Sequence, residues 1–135
     1  MNEIEGGCLC GNIKYYSKSG PLFTTICHCS HCQEQSGTAF SIIIGIEKKA
    51  LHIKGNMKSY KDMGNSGKPV HRKFCGNCGS PIISDVSAAP DLFFIKAGTI
   101  NNIKSLNPTK EIWTDHKLDC ISINGIKEKH KTDGK

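Results

Sequence analysis

Apolar positions in this chain come in short alternating runs divided by Gly, Pro, Asn and Ser, which is the rhythm of strands and turns. After the glycine-flanked turn GGCLCG, Ile13 and Tyr15 alternate with polar neighbours and share one face of a strand that runs to about Ser17. Gly20-Pro21 marks a turn, and residues 22–27 follow as a second strand that delivers Cys27 at its end. Residues 38–46 are β-branched and aromatic, 51–54 alternate and 57–61 alternate weakly, so three more strands are predicted. A Gly- and Pro-bearing turn at 64–69 precedes a strand over 70–75, and 81–86, 92–97 and 111–113 read as extended. Helical periodicity is confined to a short turn at 29–35, broken at Gly37. The pattern predicts an all-β (mainly β) domain of two small sheets with little helix and no internal repeat.

With 135 residues, 37% of them apolar and 22% charged, the chain suits one domain, expected over 1–125. Residues 126–135 are polar and lysine-rich and are expected to be a frayed tail. The N-terminus MNEIEGG has no basic region and no apolar stretch of signal-peptide kind. The longest apolar run, at 40–46, falls far short of the roughly 20 residues that span a bilayer. A cytoplasmic protein with no membrane partner is expected.

Eight cysteines in a reducing compartment change the picture, because close spacing there signals metal ligands rather than disulfides. Seven fall into three clusters: Cys8-x-Cys10, Cys27-x-Cys29-x-x-Cys32 and Cys75-x-x-Cys78. Ligands one or three positions apart on a tight turn converge on one ion at little cost in chain entropy. Two closed tetrahedral zinc sites would need eight thiolates, so seven leave one site with three protein ligands and an open position, the pattern of catalytic zinc. The middle cluster is the natural open site because Cys27, Cys29 and Cys32 come from one turn, and Cys8, Cys10, Cys75 and Cys78 would then form the closed one. Alternatively, Cys120 completes the middle cluster as a second closed site. Cys120 otherwise reads as a buried small apolar side chain. His28 and His31, inside the cluster, read as hydrogen-bonding or exposed groups rather than ligands.

The formal charge of +6 shifts once metal is counted, since seven thiolates carry −7 and two Zn²⁺ carry +4, leaving +3. That balance suits an anionic small molecule or a weak nucleic-acid contact.

The segments GGCLCGNIKY, CHCSHCQEQSGTAF and RKFCGNCGSPI resemble the glutathione-dependent formaldehyde-activating enzymes and the related centromere-protein-V-like domains. The resemblance runs from Gly6 to about Gly98. It implies an Mss4-like zinc fold and a carbon–sulfur lyase activity, with glutathione and formaldehyde as reactants. Carried onto this chain, it implies a structural zinc on Cys8, Cys10, Cys75 and Cys78 and a catalytic zinc on Cys27, Cys29 and Cys32. Departures come late: Glu111 stands before Ile112-Trp113 where the family commonly has His, and Cys120 where it has Trp.

The chemistry expected is addition of a zinc-held thiolate to a small aldehyde. Backbone N–H groups around Ser36-Gly37, or the Ser36 hydroxyl, are candidates to stabilise the developing oxyanion, and Arg72 to pair with a carboxylate of the thiol. The rival expectation is a non-enzymatic zinc module that binds nucleic acid or protein. The chain shows no basic-aromatic stripe, so nucleic acid is the less favoured partner.

Overall fold

The computed structural model describes residues 2–134. Eleven strands are present among them: β1 Ile4–Gly7, β2 Lys14–Ser17, β3 Phe23–Cys27, β4 Ser41–Glu47, β5 His52–Lys54, β6 Met57–Asp62, β7 Val70–Cys75, β8 Pro81–Val86, β9 Leu92–Lys96, β10 Lys110–Ile112 and β11 Glu128–Lys129. One α-helix, α1 Ser30–Ser36, follows β3. The mainly-β expectation holds, but the two sheets are unequal. A three-stranded antiparallel sheet has the order β1-β2-β5, and an eight-stranded sheet has the order β11-β10-β3-β4-β9-β8-β7-β6.

The alternation seen in the sequence decides which faces meet. Ile4 and Tyr15 of the small sheet, and Ile13 just before β2, are buried against Ile44, Ile46, Ile82, Ile83 and Ile95 of the large one. β4 is buried on both faces along most of its length, as a central strand must be, which is why its Ile-Ile-Ile-Gly-Ile run lacks alternation. The small sheet lies close to the turn that follows β9 at Gly6, where a Cβ would fall 2.2 Å from Thr99 O and 2.3 Å from the phenol oxygen of its strand neighbour Tyr15.

The C-terminal segment departs from expectation. It is not frayed: β11 pairs in parallel with β10, Lys110 opposite Glu128 and Glu111 opposite Lys129. Beyond it, His130 N–H donates to Glu111 O and Trp113 N–H to Thr132 O. The reason is that β10 would otherwise expose one row of backbone groups, and even a charged segment can satisfy them. Trp113 is not extended either; it adopts φ 56°, ψ 41°, a left-handed conformation costly for a bulky side chain.

Candidate metal centres

The β1–β2 and β7–β8 connections each fold as a knuckle around a sulfur. In the first, Ile13 N–H donates to Cys8 Sγ at 3.1 Å while Cys8 N–H donates to Ile13 O at 3.0 Å. In the second, the N–H groups of Asn77 and Cys78 approach Cys75 Sγ at 3.4 and 3.5 Å. Gly11 and Gly79 close the knuckles at φ 83° and 78°, where other residues are strained. Donors aimed at sulfur favour the thiolate. Hydrogen bonds from Ser80 bring the Cys78 thiol down to about 5.

Together the knuckles gather Cys8, Cys10, Cys75 and Cys78, with all four sulfurs within 4.8 Å of one another. Cys8 and Cys10 Sγ lie 3.6 Å apart, and Cys10 and Cys75 Sγ 3.7 Å. A tetrahedral ion with bonds of about 2.3 Å to sulfur holds its ligands roughly 3.8 Å apart, so the set fits one without rearrangement. It also links the small sheet to the large one.

The second set is built from the end of β3 and the start of α1. Cys29 caps the helix, its Sγ accepting from Cys32 N–H at 3.2 Å, and Gly37 ends it in the left-handed conformation. Cys27, Cys29 and Cys32 are buried, with their sulfurs again within 4.8 Å. Hydrogen bonds from Cys27 and Cys29, then the charges of Lys96 and Arg72, hold the Cys32 thiol well below the ordinary range. The same crowding pushes Cys27 far up. Three sulfurs this close cannot all ionise alone, and a divalent ion among them removes the conflict.

Two buried cations flank this trio. Arg72, 5% exposed, donates from Nε to Asp62 Oδ2 at 2.9 Å, and its Nη1 faces Ser84 Oγ at 3.5 Å and Cys32 Sγ at 4.0 Å. Asp62 also meets His31 Nδ1 at 2.8 Å; burial opposes its charge, but the bonds from His31 and Arg72 prevail and keep its carboxyl below the usual value. Lys96, also 5% exposed, donates from Nζ to Ser41 Oγ at 3.0 Å. Burial lowers its amine, and the field of Cys32, Cys27 and Cys29 works the other way.

His28 is not turned toward the sulfurs' ion position but away into the sheet. Its Nε2 lies 2.7 Å from Glu111 Oε1, both side chains wholly buried, and Lys117 Nζ stands 3.6 Å from the same oxygen. His31 is the half-exposed partner of Asp62. Both histidines therefore behave as hydrogen-bonding groups.

All three sulfurs open on one side into a cavity of about 240 Å³. Arg72, Ser84, Thr25 and Trp113 line it, and Lys68 and Lys110 contribute to its wall. Ser36 and Gly37 are not among its lining residues. The Ser36 hydroxyl donates to Cys32 O, and the N–H groups of Gly37 and Thr38 both donate to Gln33 O, so the donors of this turn, expected as oxyanion partners, are engaged at the end of the helix. Cys120 is exposed rather than buried and belongs to neither cysteine set. A polar turn at the surface, with no strand around it, leaves its thiol nothing to pack against.

The family model of the glutathione-dependent formaldehyde-activating enzyme matches residues 3–116. The chain belongs to that family. The match takes in both cysteine sets and ends before β11, so the strand that closes the sheet edge lies outside it. The crystal structure of a Rhodobacter sphaeroides protein is similar at a TM-score of 0.58 and 19% identity, over 77% of this chain and 91% of that one, which supports the fold. No curated protein matches the chain. Within the formaldehyde-activating family, then, this member carries both cysteine sets in geometries able to hold metal.

Lys96 and Thr25 are site residues that the sequence did not suggest. Lys96 ends an apolar strand, where a lysine ordinarily marks the exit to solvent. Its one legible signal was the Ala97 that follows, which continues the buried run.

Proposed function

We propose that the protein is a zinc-dependent carbon–sulfur lyase that forms or breaks the adduct of glutathione with formaldehyde or a similar small aldehyde. The observation that carries this reading is the inequality of the two cysteine sets: four sulfurs closed on each other, and three open to a cavity. Zinc suits both sets because it takes thiolate ligands in tetrahedral geometry and has no redox chemistry to control. In the three-sulfur set it would hold a substrate sulfur as thiolate near neutral pH.

The chain's own groups do the rest. Arg72 and Lys96 offset the excess negative charge of three cysteine thiolates plus a fourth from substrate, which lowers the cost of bringing that fourth anion in. Lys68 and Lys110, in the cavity wall, suit the carboxylates of a peptide thiol. Arg72, expected to bind such a carboxylate, has its Nε committed to Asp62 and is better suited to the thiolate itself. The sulfur pair forms the S–C bond, the carbonyl π pair moves to oxygen, and that oxygen takes a proton; the reverse path releases the aldehyde.

Exchange spectroscopy on a mixture of formaldehyde and glutathione tests this. The zinc-loaded protein should speed exchange between free and bound formaldehyde, and the Cys29→Ser variant should not. Equal exchange rates with and without wild-type protein would exclude the lyase.

A further inference from the structure

The cavity over Cys27, Cys29 and Cys32 is far larger than formaldehyde requires, and most of its lining surface is apolar. Ile43, Val70, Val86, Phe94 and Ile112 form much of the wall. Its aromatic floor is built rather than incidental. Gly45 has no side chain, and a Cβ there would fall 2.2 Å from the Phe23 ring, so the glycine lets that ring lie flat on β4. Phe23 then meets Phe94 edge-to-face at 5.7 Å between ring centres. Among these apolar groups stands one hydroxyl without a partner. Thr25, 2% exposed, lines the cavity two residues before Cys27 on the same face of β3, and its Oγ1 makes no hydrogen bond. A buried hydroxyl left unpaired costs about 1–3 kcal/mol, which an oxygen of a bound ligand would recover.

We infer that this cavity is the subsite of an aldehyde bearing an apolar chain or ring, with the Thr25 hydroxyl donating to the carbonyl oxygen. The inference rests on the lyase reading above and assigns its carbonyl substrate. The peptide part of the thiol is polar, and burying its amides and carboxylates against Val, Ile and Phe would be unfavourable. It therefore belongs at the lysine-bearing wall, and the apolar part of the cavity falls to the group on the aldehyde carbon. Addition consumes one thiol and one aldehyde and yields one hemithioacetal: the S–C bond forms, the C=O π pair goes to oxygen, the thiol's proton ends there, and nothing is oxidised or reduced. Thr25 stabilises that oxygen as its charge grows.

The test uses the single tryptophan, Trp113, whose side chain borders the cavity. The zinc-loaded protein is titrated with S-methyl-, S-butyl- and S-hexylglutathione while its fluorescence is followed. Affinity should rise roughly threefold to fourfold per methylene until the cavity is full. In Ala89→Phe, a filling substitution at the half-buried rim, the rise should stop earlier. Thr25→Val should leave this series unchanged, because these probes lack the oxygen, yet slow exchange of hexanal with glutathione by about tenfold to a hundredfold. A flat series, with S-methyl and S-hexyl compounds bound alike, would overturn the inference and leave the lyase reading standing. Failure of glutathione and every probe to bind would overturn both. Unslowed exchange in Thr25→Val would remove the hydroxyl from the proposal.

Discussion

His28 Nε2 and Glu111 Oε1 lie 2.7 Å apart with neither side chain reached by solvent, and this contact ties the turn carrying Cys27 and Cys29 to β10. Such a partner orients the turn that must present two sulfurs to one ion. Glu111→Ala would leave His28 without its acceptor and Lys117 without its anion. The expected cost is about 2–4 kcal/mol of folding stability. Metal bound by the three-sulfur set should weaken by roughly tenfold to a hundredfold, as loss of an orienting partner commonly does. Chelator competition followed by metal analysis checks this, and the four-sulfur set should keep its metal.

The two cysteine sets should fail differently when broken. Cys29→Ser should reduce bound zinc from two ions to one per chain and leave a folded protein. Cys78→Ser should cost the whole fold, because the four-sulfur set joins the two sheets and such sites contribute on the order of 10 kcal/mol or more. Zinc content with circular dichroism distinguishes these outcomes.

Lys96 is buried, its Nζ donates to Ser41 Oγ opposite Cys27, and negative charge on the three-sulfur set favours its ammonium form. Lys96→Met keeps the packing volume and removes the charge. The pH at which glutathione binds half-maximally should rise by about one unit, equivalent to roughly tenfold weaker binding at neutral pH. An unchanged binding profile would show that Arg72 alone supplies the field.

Tyr15 gives a stability signature independent of metal. Burial pushes its phenol up to about 12, against the pull of its bond to Thr99 Oγ1 at 2.7 Å. The Thr99 hydroxyl donates to Lys96 O, so the phenol must be the donor in that bond and must keep its proton. Since the folded phenol ionises later than the unfolded one, its contribution is complete below about pH 10 and is lost as pH rises toward about 12. Denaturant titrations should show wild-type stability falling by about 2–3 kcal/mol more than that of Tyr15→Phe across this window. At neutral pH Tyr15→Phe should cost about 1 kcal/mol.

What the sequence disclosed follows from range. Short-range patterns were legible: the alternation of Ile13 and Tyr15, the turn glycines, and the division of seven cysteines into two sets by spacing. Partnerships across distant positions were not. Nothing near His28 announces Glu111, 83 positions away, and nothing in a lysine-rich end announces that it completes a sheet edge beside Glu111. Ser36 carried the right functional group for an oxyanion donor, but helix α1 uses it locally, a competition typical of serine at helix ends. Thr25 was hidden because a threonine in a strand is ordinary until its hydroxyl is found without a partner.

Cobalt reports directly on whether the three-sulfur set has an open position. In protein loaded with two cobalt ions per chain, glutathione should shift the visible bands of one ion only, and Cys29→Ser should abolish the shift. Bands that do not respond to glutathione would mean both sets are closed to a thiol, and would contradict the division into one closed and one open site.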